Sequence, residues 1–292
     1  MVLAIVGPTA SGKSRLACAL AQHMNGEIVS TDSMAIYRGM DIGTAKPSPA
    51  EREAVAHHMI DVRDPAQDVT VAEFQAEARS SILDIQSRGH VPIVVGGSGL
   101  YVSAILDDLR FPGTNAQLRA RLNQECEEFG VAALHQRLAE LDPAAADAID
   151  PRNARRIVRA LEVIALTGGP FPAQLPRDAE WMSAQRIGLH IDREILDIRI
   201  AERVDRMWDA GFVEEVRLLA GQPMSRTARK ALGYAQVLSA LAGDITFEMA
   251  REQTIEATKR FARRQQRWFQ RDSRIQWVPY DIDVASLRGI LT

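Results

Sequence analysis

The sequence predicts an α/β protein: a parallel sheet flanked by helices, interrupted by an all-helical subdomain. Three observations lead there. In the first hundred residues, short apolar runs end in glycine or aspartate and alternate with segments of helical spacing. The texture then turns helical between two breaks, Phe111–Thr114 and Gly168–Pro176. Beyond the second break, Arg186–Ile191 reads as a return to the sheet. The expected organisation is a core of residues 1–113 and 181–292 and a helical insertion of residues 114–180.

The elements follow in order. Val2–Val6 is a β-rich run that stops at Gly7, and Ser14–Met24 has Leu16, Ala19, Leu20 and Met24 at helical spacing. Glu27–Ser30 is a second short strand leading to Asp32. Val71–Ser87 is helical, and Val91–Val95 is an apolar strand running into glycines, as in a buried parallel sheet. Asn115–Thr167 has a helical pattern with few β-branched clusters. Two further helices are expected, from Ile195 to about Leu219 and from Phe247 to about Arg271.

Composition narrows the class. With 292 residues, 46% apolar and 25% charged, the chain can bury a large core, which excludes disorder as the dominant state. Cys18 and Cys126 are its only cysteines, too few for a disulfide scaffold. The 16-residue charge-free stretch Val91–Leu106 is broken by proline and glycines and is too short to span a bilayer. Met1–Val6 has no basic start of a secretory leader, so a cytoplasmic protein without a membrane partner is expected.

Gly7-Pro8-Thr9-Ala10-Ser11-Gly12-Lys13-Ser14 fits G-x-x-x-x-G-K-S between a strand and a helix, which makes the sheet P-loop NTPase-like. Backbone N–H groups of such a loop turn inward around phosphate oxygens, and the helix N-terminus adds partial positive charge. Lys13 would reach the terminal phosphates and the Ser14 hydroxyl would hold Mg²⁺. The motif says diphosphate or triphosphate and no more.

Asp32 follows the second strand, at the same sheet edge as the loop. It could help hold Mg²⁺ or accept a proton from a nucleophile. Around it, Ser33, Tyr37, Arg38, Asp41, Thr44 and Lys46 crowd polar groups into a stretch without regular pattern, as binding loops do. Gly96–Tyr101 forms a second glycine turn at a strand end, permitting close backbone approach to a ligand.

The net charge of −3 hides a segregation: −6 over Leu122–Asp150 and +5 over Arg251–Arg274. Of 35 basic residues, 31 are arginine. Arg152, Arg155, Arg156 and Arg159 fall on one helical face, with Ile157, Leu161 and Ile164 on another. Arg260, Arg264, Arg267 and Arg271 make a second stripe beside Phe261, Trp268 and Phe269. Guanidinium groups fork onto phosphates and stack on bases, so two such faces suit RNA. The aromatics read better as core.

Taken together, these strings resemble the tRNA dimethylallyltransferases (tRNA isopentenyltransferases), the IPP transferase family. The matching strings are GPTASGKS at Gly7–Ser14, DSMAIYRGMDIGTAKP at Asp32–Pro47, HHMID at His57–Asp61 and GGSGLY at Gly96–Tyr101. RRIVRALEV at Arg155–Val163, ALGYAQ at Ala231–Gln236 and RRQQRWFQR at Arg263–Arg271 complete a collinear series.

The resemblance implies transfer of a dimethylallyl group from dimethylallyl diphosphate to N6 of the adenosine on the 3′ side of a tRNA anticodon, with Mg²⁺. It implies Asp32 as general base, Lys13 and Thr9 on the leaving group, and Gly7–Ser14 as the diphosphate cradle. It adds one basic residue before the GY pair, where Arg229 and Lys230 both qualify and Lys230 is favoured on spacing. It implies that Asp32, Ser33, Met34, Ala35, Ser98, Arg121, Arg155, Arg156, Ile157, Val158 and Arg159 meet the RNA. Ala35 stands where many members carry glutamine, and Ser98 where threonine is common. The helical insertion would grip the anticodon arm of tRNA, and a monomer is expected. With no Cys after Cys126, the chain is similar to the bacterial form that lacks a zinc finger. A P-loop small-molecule kinase would explain the loop but not the arginines. A non-catalytic RNA-binding protein with a nucleotide switch would explain the arginines and predicts that Asp32→Ala leaves function intact. An adenylate isopentenyltransferase would share the core but not need the insertion.

Overall fold

A computed structural model describes residues 2–172, 179–287 and 289. Part of the second expected break, residues 173–176, lies outside the described residues. The chain divides into two compact units, residues 1–107 with 180–292 and residues 108–179.

The first unit is built on six parallel strands in the order β3-β2-β4-β1-β5-β6. Its N-terminal part runs β1 (Val2–Val6), α1 (Lys13–Met24), β2 (Gly26–Ser30), α2 (Pro49–Ala54), β3 (His57–His58), α3 (Val71–Ser87), β4 (Val91–Gly96) and α4 (Gly99–Leu106). β1 lies between β4 and β5, in register Ile5↔Val95 and Ile5↔Ile187. Alternation along β1 explains why both faces need helices. Val2, Ala4 and Val6 enter one core with Phe74, Ile82 and Ile105, while Leu3 and Ile5 enter the other with Leu16, Leu20 and Ile93. Burying each such large side chain stabilises the fold by about 1.5–3 kcal/mol. The α3 helix has the start its sequence specifies: Thr70 and Glu73 form a capping box ahead of the buried stripe Phe74, Ala78, Ile82, Ile85.

The second unit holds α5 (Ala116–Leu141), α6 (Pro143–Ala148) and α7 (Ala154–Thr167). α5 kinks at Gly130, whose φ of 83° leaves the helical region. The unit has its own core: Leu122, Leu134, Leu138, Ile149, Ile157, Val158 and Leu161. Glu162 is fully buried there. Burial pushes its carboxyl up, but hydrogen bonds from Arg119 and Arg159 and the Asn115 backbone N–H outweigh it and hold the group below its ordinary range.

The chain then resumes with β5 (Ala184–His190), α8 (Arg193–Asp209), α9 (Phe212–Ala220), α10 (Arg226–Arg229), α11 (Tyr234–Leu241), α12 (Phe247–Phe269), β6 (Ile275–Pro279) and α13 (Val284–Leu287). Where the sequence suggests one helix from Ile195 to Leu219 there are two. Gly211, at φ 92°, ends α8 and starts α9. β6 is an edge strand absent from the sequence-based expectation. Among the described residues no helix is long and apolar enough to cross a membrane.

Candidate active site

Parallel strands deliver their C-terminal ends to one edge, and the loops gather there. After β1 the chain forms the phosphate loop. Ala10 and Gly12 both adopt left-handed backbone, φ 64° and 92°, and Gly12 is the N-cap residue of α1. Lys13 folds back, its Nζ donating to the Pro8 carbonyl at 3.1 Å. Ser11 Oγ is buried inside the loop without a hydrogen-bond partner among the described residues. Ser14 is exposed on the first turn of α1.

Two residues that the sequence argument did not single out hold Thr9. Its backbone N–H donates to Gln265 Oε1 at 2.9 Å, and its Oγ1 accepts from Arg203 Nη1 at 3.0 Å. Gln265 comes from α12 and is part of the RRQQRWFQR string, so that string had marked it without assigning it a role. Arg203 comes from α8, where one arginine among 31 carries no local signal. Burial, then the Arg203 guanidinium, pulls the Lys13 ammonium down to about 8, against an opposing pull from Asp32. Burial also lowers Arg203, with Asp32 pulling it up. Thus Lys13, Arg203 and Asp32 form one electrostatic cluster.

Asp32 is exposed just past β2 and accepts the Met34 backbone N–H at 2.9 Å, a short turn that leaves Oδ2 available. Thr31 beneath it is fully buried and hydrogen-bonds the Val95 carbonyl through both N and Oγ1. The following loop is far less open to ligands than its polar residues suggest. Lys46 is buried, and its Nζ donates to Asp41, to Asp61 and to the Tyr37 carbonyl. The backbone N–H groups of Asp41, Ile42 and Gly43 all donate to the Glu215 carboxylate of α9, which also accepts the Tyr234 hydroxyl. A Cβ on Gly43 would sit 2.3 Å from the Phe212 ring. Asp41, Lys46 and the Asp41–Gly43 backbone thus build the loop.

The second glycine turn is packed from below and above. A Cβ on Gly96 would lie 1.9 Å from Thr31 Oγ1, one on Gly97 2.3 Å from Gln265 Nε2, and one on Gly99 2.0 Å from the Trp268 ring. Ser98, between them, is half-buried. Phe269 is core, as expected, while Trp268 is 37% exposed over Gly99.

Several expected RNA contacts need correction. The Ala35 side chain is buried under its loop, and Ile157 and Val158 are buried in the core of the helical unit, so none offers its side chain to RNA. Arg159 is spent on Glu162 and the carbonyls of Pro112 and Gly113. Arg152 precedes α7, because Asn153 caps the helix, and it pairs with Asp150. Arg155 and Arg156 are exposed. Arg121 is exposed in a surface pair with Glu125. On α12, Arg260, Arg264 and Arg267 are exposed, with Arg271 just past the helix end. Arg229 and Lys230 are both exposed at the end of α10. His57 and His58 are engaged within the protein: His57 Nδ1 lies 2.7 Å from the Val55 carbonyl and His58 Nε2 2.7 Å from Glu27. Among the described residues no cluster of three His, Cys, Asp or Glu could hold a metal.

Sheet and loop define a P-loop α/β protein whose anion cradle faces a carboxylate across the strand ends. Within that class, the chain belongs to the IPP transferase family, whose model matches residues 35–272. It is 56% identical to the tRNA dimethylallyltransferase of Thermobifida fusca (strain YX), over 96% of this chain and 90% of that one. It is 55% identical to the tRNA dimethylallyltransferase of Streptomyces coelicolor, over 95% and 89%. Among solved structures it resembles the full-length tRNA isopentenylpyrophosphate transferase of Bacillus halodurans, with TM-score 0.72, 38% identity, and 99% and 93% of the two chains covered. A eukaryotic dimethylallyltransferase acting on tRNA superposes with TM-score 0.83 at 26% identity, covering 99% and 77%.

Proposed function

We propose that this chain transfers a dimethylallyl group from dimethylallyl diphosphate to N6 of the adenosine 3′ to a tRNA anticodon, releasing diphosphate. The observation that carries the reading is the Thr9–Lys13–Arg203–Asp32 cluster, which sets a cationic cradle for a diphosphate against one carboxylate.

The chemistry follows from that polarity. As the allylic C1–O bond breaks, the electron pair leaves with diphosphate. Lys13, Arg203 and the loop N–H groups meet that charge in a partly desolvated site, where fixed donors act most strongly. The exocyclic amine attacking C1 is a weak nucleophile, since its lone pair is delocalised into the ring. Asp32 accepts its proton as the N6–C1 bond forms. Thr9, fixed at both N–H and Oγ1, stands ready at the bridging oxygen. The target base must leave its stack to reach this depth. The donor set fits a magnesium ion poorly as an all-protein site but well as a shared one: the exposed Ser14 hydroxyl and phosphate oxygens would hold it, with water. A magnesium ion held there would supply neutralisation of the leaving diphosphate's charge. The exposed Arg155, Arg156, Arg260, Arg264 and Arg267 offer phosphate contacts, and Lys230 an additional charge toward the donor. All these residues come from one chain, so a monomer suffices, and we place the reaction in the cytoplasm.

The test is transfer itself. With Mg²⁺, radiolabelled dimethylallyl diphosphate and unmodified tRNA, label is expected in N6-dimethylallyladenosine after digestion. Asp32→Ala should lower kcat about 10²–10⁴-fold while tRNA binding persists. Label appearing on free AMP instead would move the chain to the nucleotide-modifying branch, and ATP consumption without transfer would support the kinase.

A further inference from the structure

α8 carries a second arginine toward the phosphate loop that the reaction scheme above does not use. Arg199 lies one turn before Arg203, so both side chains leave the same face of the helix. That face is pressed onto the loop. Leu196 and Ile200 of α8 cluster with Ile191 and Ala262, and the cluster packs against Ala10 of the loop and Tyr280 after β6. The Arg199 guanidinium carbon lies 5.3 Å from the centre of the Tyr280 ring. Its Nη2 comes within 3.7 Å of the point where a Cβ on Gly12 would stand.

Arg199 is only half-exposed, yet it has no carboxylate partner and donates no hydrogen bond to the protein among the described residues. The nearby acid on its helix, Asp197, is flanked instead by Arg193 at 3.9 Å and Arg263 at 4.0 Å. An arginine held against an aromatic face, with its five N–H donors unspent, is a preorganised anion site. Here it stands beside the residue that caps α1, where phosphate oxygens are expected to gather.

Resting on the proposed diphosphate chemistry, we infer that Arg199 is a further diphosphate-binding residue. It grips the leaving group from the Gly12 end of the loop while Arg203 grips it from the Thr9 end, and Tyr280 serves as its platform. The two arginines then bracket the loop along one helix face. Their fixed forks match the oxygens of a diphosphate better than those of a single phosphate. Gly12 is required for its left-handed backbone, and a Cβ there would stand in ordinary van der Waals contact with the guanidinium.

The experiment measures binding of inorganic diphosphate with Mg²⁺ by calorimetry, beside steady-state transfer. The wild-type protein should bind diphosphate. Arg199→Ala and Arg199→Gln should bind it about tenfold or more weakly, with KM for dimethylallyl diphosphate raised and tRNA affinity unchanged. Arg199→Lys should recover only part, because an ammonium cannot fork or stack. Tyr280→Leu should weaken diphosphate binding and Tyr280→Phe should not. Arg193→Ala, exposed on the same helix, is the control. Equal diphosphate affinity in wild type and Arg199→Gln, both folded by circular dichroism, overturns the inference while leaving the transferase reading intact. A wild-type protein that transfers no prenyl group and binds no diphosphate sinks that reading itself.

Discussion

Replacing Gly96 with alanine tests whether the sheet edge positions Asp32. The new methyl would stand 1.9 Å from Thr31 Oγ1, about 1.5 Å short of ordinary contact, and 3.3 Å from the Thr31 carbonyl carbon. Thr31 cannot swing aside, because it is fully buried and bonded twice to the Val95 carbonyl. The strain must therefore move the Thr31 backbone, and Asp32 with it. Overpacking of this kind costs about 1–3 kcal/mol of stability. An ångström of displacement in a catalytic group costs on the order of 10² in rate. Thermal unfolding and kcat for transfer should both fall in Gly96→Ala. The informative partner is Thr31→Ala, which removes Oγ1 and leaves the original Cβ at 3.1 Å, a contact small shifts can relieve. The double variant should regain most of the lost stability and rate. A Gly96→Ala protein with normal kcat would refute the reasoning, as would a double variant no better than the single one.

Other expectations follow from the same geometry. Lys13 is charged below about 8 and loses its charge above it, so kcat/KM for the diphosphate donor should decline as pH rises through about 8, while tRNA affinity does not. Lys13→Arg, which stays charged, should abolish that limb of the profile. Glu215→Gln leaves three backbone N–H groups and the Tyr234 hydroxyl competing for one oxygen. It should cost about 2 kcal/mol in chemical denaturation and lower kcat by loosening the Asp41–Gly43 loop. Arg264→Ala and Arg267→Ala should each weaken tRNA binding across sequences and reduce the slope of log K against log salt by about one, with kcat at saturating tRNA unchanged.

What could be read in the sequence depended on how local the cause is. The phosphate loop and Asp32 follow from chain-neighbour rules: a strand end, a glycine turn, a helix start. The Val71–Ser87 helix was readable to the residue because its capping box and buried stripe are both local. Arg203, Arg199, Glu215 and Gln265 act across 160 to 260 residues of chain, through contacts that only the fold creates. Ile157 and Val158 sit in a basic string, yet helical spacing turns them inward to the core of their own unit. Edge strand β6 has only five residues, and its burial rests on a single neighbour, so its pattern is faint.

The place where the helical unit leaves the sheet domain has a consequence for ancestry. Asp107 and Glu180, the residues that flank it, face each other as an antiparallel bridge, and the next pair inward is joined by the Asp108 N–H to the Ala179 carbonyl. Two positions with 72 residues of chain between them thus lie side by side, and partners in such a bridge are about 5 Å apart at their Cα atoms. A two-residue turn would close the gap. The catalytic sheet is geometrically complete without the module, which has its own core and its own buried ion pairs. A lineage could have acquired, enlarged or exchanged the segment at this doorway without repacking the sheet. The helical unit and the sheet would then have separate histories within one polypeptide.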